Sequence, residues 1–150
     1  MKTFSLFCFV FILTSVTEPS LLEAQYSEES ISIVVHESIE TDAINIAQLK
    51  AFYTLNTLNW KDGNRIRLAD YKGDNYLRIR FYSKLDLTPS KIKKIWLRAQ
   101  FTGKSIPPNV VNSVAEMIEA VTDLPGTIGY VPTSRVSPDM RILFEISNDL

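Results

Sequence analysis

The chain has 150 residues, 16 basic against 17 acidic side chains, and one cysteine, Cys8. That length fits one domain. The near-neutral balance excludes general nucleic-acid binding, which needs a net positive surface, and a lone thiol excludes a disulfide framework.

Met1-Lys2-Thr3 is a short basic start, Phe4–Val16 is an almost unbroken uncharged apolar run, and polar and small residues follow to Ala24. This is the layout of a secretory signal peptide over residues 1–24. The run is too short to span a bilayer, which needs about 20 residues. An uncleaved N-terminal anchor is the alternative. Cleavage after Ala24 removes Cys8, Lys2, Glu18 and Glu23, so residues 25–150 form one neutral, thiol-free domain. Such a domain is expected to be periplasmic or secreted, with no membrane span after cleavage.

Ile31–Val35 is a β-branched run and predicts a strand buried on both faces. Asp42 predicts the cap of a helix starting near Ala43, with Ile46, Leu49, Phe52 and Tyr53 on its apolar face. Trp60-Lys61-Asp62-Gly63-Asn64 reads as a turn, and Arg65–Asp70 alternates as a second strand should. After the loop Tyr71–Asn75, either Asp74 or Asn75 caps a helix to about Ser83. Thr88-Pro89 opens another helix, striped by Ile92, Ile95, Trp96 and Ala99. Gly103–Asn109 reads as extended and Val110–Val121 as a further helix. Asp123-Leu124-Pro125-Gly126 stops that helix and turns the chain. Thr127–Val131 and Met140–Ile146 close the list as strands. Strands alternating with helices predict an α/β fold with a small, mostly parallel sheet flanked by helices.

Few residues suggest chemistry. Gly103-Lys104-Ser105 hints at a phosphate loop, but Arg98 stands where the motif's first glycine belongs, and Pro107-Pro108 prevents a following helix. His36, the only histidine, has no set of further ligands and reads as a polar loop residue. Lys91, Lys93, Lys94, Arg98 and Lys104 read as a solvated helix face. Arg65, Arg67, Lys72, Arg78 and Arg80 are more suggestive, because they bracket a glycine loop leading into a helix, whose N-terminus favours anions. Asp74 opposes that reading unless it caps the helix. No nucleophile motif, dinucleotide fingerprint or acid/base pair is present, so no catalytic residue, cofactor or metal ligand is assigned.

Three stretches carry a resemblance. They are Leu58-Asn59-Trp60-Lys61-Asp62-Gly63-Asn64-Arg65-Ile66, then Trp96 with Phe101-Thr102-Gly103-Lys104-Ser105-Ile106-Pro107-Pro108, then Pro125-Gly126-Thr127-Ile128-Gly129-Tyr130-Val131. Their order and spacing resemble the second lobe of the phosphate-binding proteins of ABC transporters, of the type-II periplasmic-binding class, over roughly residues 31–132. The resemblance implies one lobe of a two-lobed clamp, with phosphate or a similar oxyanion as ligand. In that family an Arg and a Ser-Gly-Thr-type loop at a helix start hold the anion. The matching stretch here is Arg67–Tyr76, where Gly73 fits and Asp74-Asn75 replace small hydroxyl residues. The implied ligand set is Arg67, Lys72, Gly73, Asn75, Tyr76, Arg78 and Tyr130. The alternative function is a non-enzymatic interaction protein that docks an envelope partner through the lobe's exposed face and binds no solute. Tyr71, Tyr76 and Tyr130 would serve as its aromatic contacts, and Gly129-Tyr130 would mark the open face.

Overall fold

A computed structural model describes residues 29–106 and 108–147. The proposed signal segment, with Cys8, lies outside the described residues. Five strands, β1 (Ile31–His36), β2 (Arg67–Tyr71), β3 (Asn109–Val111), β4 (Thr127–Pro132) and β5 (Met140–Ile146), form one sheet in the order β3-β2-β4-β1-β5. The helices among the described residues are α1 (Ile46–Tyr53), α2 (Tyr76–Lys84), α3 (Pro89–Phe101) and α4 (Val114–Asp123). This is the predicted α/β architecture of sheet and flanking helices. The pairings divide evenly, however: β2 runs parallel to β3 and β4, whereas β1 runs antiparallel to β4 and β5. The parallel half is the helix-connected half, as crossover connections require.

Local chemistry sets most boundaries. Thr88 caps α3 with Pro89 in its first turn, as predicted, and Asn75 rather than Asp74 caps α2. The first helix begins three residues later than its Asp42 cap predicts. Asp42 instead pairs with Lys61, while Asn45 and Gln48 form a reciprocal capping box. Residues 109–111, read as the end of an extended stretch and the start of a helix, form β3 on the sheet edge. Ser113 then caps α4 by accepting the Glu116 amide at 3.1 Å, so the helix starts at Val114.

Neighbouring residues of a strand face opposite sides of the sheet. The Gly129 side of β4 receives α4, and a Cβ built there would lie 2.6 Å from Met117 Sδ and 2.9 Å from Val121 Cγ2. Gly129 is therefore a contact point between helix and sheet, and the open face predicted at this position is filled by α4. Tyr130 faces the other way into an aromatic cluster. Its ring stacks on Phe81 at 4.0 Å and meets Tyr53 and Tyr71 edge-on. The two tryptophans tie loops to this frame: Trp60 Nε1 donates to Gly126 O at 3.0 Å, and Trp96 Nε1 donates to Tyr53 O at 2.8 Å.

Gly129→Ala is expected to destabilise the protein by about 1–3 kcal/mol, because Val121 cannot swing away as Met117 can. Urea denaturation measures this; a loss below about 0.5 kcal/mol, the range of neutral surface changes, would show that α4 does not press on Gly129.

Candidate functional site

Strand β2 delivers the chain to the loop Lys72–Asn75, which opens directly into α2. Its parallel neighbour β3 ends at the same edge, where Lys72 N donates to Val111 O at 2.8 Å, and leads through Asn112-Ser113 into α4. Two helices thus start side by side at the carboxyl edge of the parallel strands, the place where α/β sheets bind ligands. Both starts carry their own caps. Asn75 Oδ1 accepts from the Leu77 and Arg78 amides at 2.9 and 3.4 Å. The Glu116 carboxylate accepts from both the amide and the side chain of Asn112, at 2.8 and 2.9 Å. These hydrogen bonds hold the Glu116 carboxyl below its ordinary range. Lys72, Gly73 and Asp74 are exposed. Gly73 turns the loop at a φ of +62°, a conformation L side chains rarely adopt.

The loop is held from beneath. Arg78 reaches back from α2, donating through Nε to Asp70 Oδ2 at 2.6 Å and through NH1 to Gly73 O at 3.0 Å. The second carboxylate oxygen of Asp70 accepts the Tyr130 hydroxyl at 2.7 Å. Side-chain exposure is 10% for Arg78 and 2% for Asp70, so this is a buried ion pair. Burial pushes the Asp70 carboxyl above its ordinary range, against the pull of Arg78 and of the Tyr130 phenol. Burial pulls the Arg78 guanidinium down, but the hydrogen bond and charge of Asp70 together hold it above its ordinary value. Burial, followed by the Asp70 charge, lifts Tyr130 well above an ordinary phenol, so it remains a neutral donor.

The residues predicted to bind an anion therefore separate. Lys72, Gly73, Asn75 and Tyr76 stand together at the carboxyl edge. Tyr76 is half-buried, and its hydroxyl is met by Arg80. Arg78 is adjacent but committed to Asp70 and the Gly73 carbonyl. Arg67 is exposed at the first position of β2 and so lies at the opposite end of the strand. Steps of about 3.3 Å per residue carry it away from the loop. Tyr130 is 0% exposed and Tyr71 1%, which corrects their expected place on an exposed face. Both rings belong to the core. Sequence reasoning missed Asp70, which organises the loop. Its signal was a lone carboxylate in the buried stretch Leu68–Tyr71, with an arginine eight positions on. The basic group Lys91, Lys93, Lys94, Arg98 and Lys104 is exposed, with Ile92 and Ala99 buried beneath it, as a solvated face should be. His36 Nδ1 lies 2.7 Å from the Ser38 hydroxyl at the end of β1.

No family model matches the chain, and no curated protein matches it in sequence. Solved structures do. An ABC-type phosphate transport receptor from Vibrio cholerae matches with a TM-score of 0.62 and 18% identity, covering 77% of this chain and 45% of that one. A putative phosphate ABC transporter substrate-binding protein from Clostridium perfringens, solved with bound phosphate, matches with a TM-score of 0.65 and 15% identity over 77% and 44%. PstS from Borrelia burgdorferi matches with a TM-score of 0.58 and 14% identity over 77% and 46%. The chain shares their fold. It spans less than half the length of each of these proteins. The resemblance seen in the sequence thus holds at the level of architecture.

The buried pair makes a pH-resolved prediction. The Asp70 carboxyl titrates higher in the folded state, so its protonation favours folding. That contribution is complete below the unfolded pKa and is lost as the pH rises through the folded one. Arg78→Met removes a group that pulls the carboxyl down, which raises it further and enlarges the loss at neutral pH. The variant is expected to cost about 3–5 kcal/mol near neutrality, since it leaves a buried charge unpaired, and less where Asp70 is protonated. Urea denaturation at about pH 7 and about pH 4 measures both. A cost that is small and equal at the two pH values would show that the pair does not hold the loop.

Proposed function

We propose that this chain is a non-catalytic solute-binding lobe of an exported protein, taking phosphate or a similar oxyanion at the Lys72–Tyr76 loop for uptake. The observation that carries this reading is the carboxyl edge itself. The loop between β2 and α2, its carbonyl pinned by Arg78, stands beside the start of α4. Among the described residues the amides of Gly73 and Asp74 make no hydrogen bond, and the Lys72 side chain has no ion-pair partner. An oxyanion placed there would accept from those amides, with Lys72 supplying the charge. Asn75 and Arg78 act as positioning residues. Arg67 and Tyr130 take no part, the first by distance and the second by burial.

The fold shared with phosphate transport proteins supports the same reading. It carries the transport role, the export route and the absence of catalysis as proposals, because the likeness is one of fold over less than half of each relative. No helix among the described residues is long and apolar enough to cross a membrane. The interaction-protein alternative loses two of its three aromatic contacts to the core, and no comparable observation favours it.

The site is open and carries an opposing charge, the exposed Asp74 carboxylate. Affinity for inorganic phosphate is therefore expected to be only about 1 mM, roughly −4 kcal/mol. Asp74→Ser is expected to tighten binding and Lys72→Ala to weaken it, each by several-fold. Calorimetric titration with phosphate and sulfate is the test. Absence of heat and of any thermal shift at millimolar phosphate, in both the natural chain and the Asp74→Ser variant, would rule the reading out.

A further inference from the structure

The outward side of α3 carries more than charge. Its inward stripe is Ile92, Ile95, Trp96 and Ala99, with Ile92 and Ala99 buried and the other two half-buried. Half a turn away, at the same steps of three and four, Lys94, Leu97 and Phe101 form a second line that faces solvent. Lys91, Lys93 and Arg98 flank it, all exposed. Leu97 is 41% exposed and Phe101 87%. Ile106, on the loop that follows, is 74% exposed.

The charge on this side is of one sign. From Leu87 to Ala115 the chain holds Lys91, Lys93, Lys94, Arg98 and Lys104 and no acidic residue, although the whole chain holds 17. Asp86, the last acidic residue before this stretch, is paired with Lys50 at 3.8 Å. Among the described residues none of the five cations forms an ion pair. An ordinary solvated helix face mixes its charges and supports them with pairs four residues apart. Such pairs cannot form in α3, which has no acidic residue. Arg65 fastens the following loop, donating to Lys104 O at 3.4 Å and to Ser105 Oγ at 3.3 Å, and brings its own positive charge to it.

Clustered cations without counter-charges specify an anionic partner. The apolar side chains decide its kind. Nucleic acid or an acidic peptide would use the lysines and leave Leu97, Phe101 and Ile106 in water. A folded acidic protein would need a socket shaped for a ring that stands clear of the surface. A bilayer needs no socket, because its fluid headgroup region admits single apolar side chains among lysines. We propose that the outward face of α3, with the loop through Ile106, docks this protein on a membrane surface rich in anionic phospholipid. The five cations lie at the level of the lipid phosphates, and Leu97 and Phe101 enter the interface between them. The inward stripe stays in the core, so the attachment is shallow, reversible and sensitive to salt. It does not depend on the function proposed for the Lys72–Tyr76 loop.

The test sediments the full chain with vesicles of phosphatidylcholine, alone or mixed with phosphatidylglycerol. The quantity read is the difference between the two vesicle types, to which the uncharged run Phe4–Val16 adds nothing. Binding to the mixed vesicles is expected to be the stronger and to fall as salt is raised. Lys93→Gln, Lys94→Gln and Arg98→Gln are each expected to weaken it about fivefold. Phe101→Ser is expected to weaken it about tenfold. All four positions are exposed, so Tm is expected to hold. Phe101→Trp reads insertion directly: brominated lipid in the mixed vesicles is expected to quench the new indole beyond the buried Trp60 and half-buried Trp96 of the natural chain. No added quenching from position 101, or unchanged affinity in both Lys94→Gln and Phe101→Ser, would overturn the proposal. So would tight binding of soluble polyglutamate that Phe101→Ser leaves unchanged, together with equal binding to the two vesicle types, which would point to an acidic protein instead.

Discussion

The carboxylate of Asp70 is the point on which the parallel half of this protein depends. It is buried at the end of β2, where a charge without partners would be untenable. Arg78 from α2 and Tyr130 from β4 occupy both of its oxygens, and so join a strand, a helix and the neighbouring strand at one group. The same guanidinium continues to the Gly73 carbonyl and fixes the loop between them. A buried pair of this kind contributes little net stability compared with a well-packed apolar substitute. What it supplies is position, because the carboxylate is satisfied only when helix, loop and strand are all in place.

Around that group the sheet is built asymmetrically. One face of β4 is pared to glycine so that α4 can lie against it, and the other face carries Tyr130 into a cluster of rings from α1, α2 and β2. The two ends of β2 differ equally. Its carboxyl end presents the exposed Lys72–Asp74 loop, turned at Gly73. Its amino end presents an apolar hollow lined by Phe52, Leu55, Ile66 and Leu68. Arginines that look like one group along the chain are divided by the length of a strand. Arg78, buried in its pair, holds the loop, and Arg67, at the far end, is exposed.

Much of the fold was legible in the chain. The β-branched run Ile31–Val35, the Thr88-Pro89 helix start and the Pro125-Gly126 stop act through local sterics and local hydrogen bonds, and all appear where the residues predict them. The errors have local causes as well. Asp42 lost its capping role to Asn45 because Lys61 offered it an ion pair across a turn. Asn109–Val111 became a strand because the edge of β2 needed a partner, a demand no local pattern announces. The antiparallel half was hidden for the same reason: nothing within β1 states which strands will flank it.

What the sequence by itself determined is the class of fold, the placing of most helices and strands, and the two-layer frame of helices on a sheet. Hydrophobic periodicity, caps and breakers operate over a few residues and are written there. Only the tertiary structure decided where the candidate residues lie. It buried Tyr71 and Tyr130, bound Arg78 to Asp70 and parted Arg67 from Lys72. It also set Thr127 beside Arg67, from strands far apart in the chain. Those outcomes rest on which side of a strand a residue faces and on what another segment brings to meet it. Spacing along the chain carries neither.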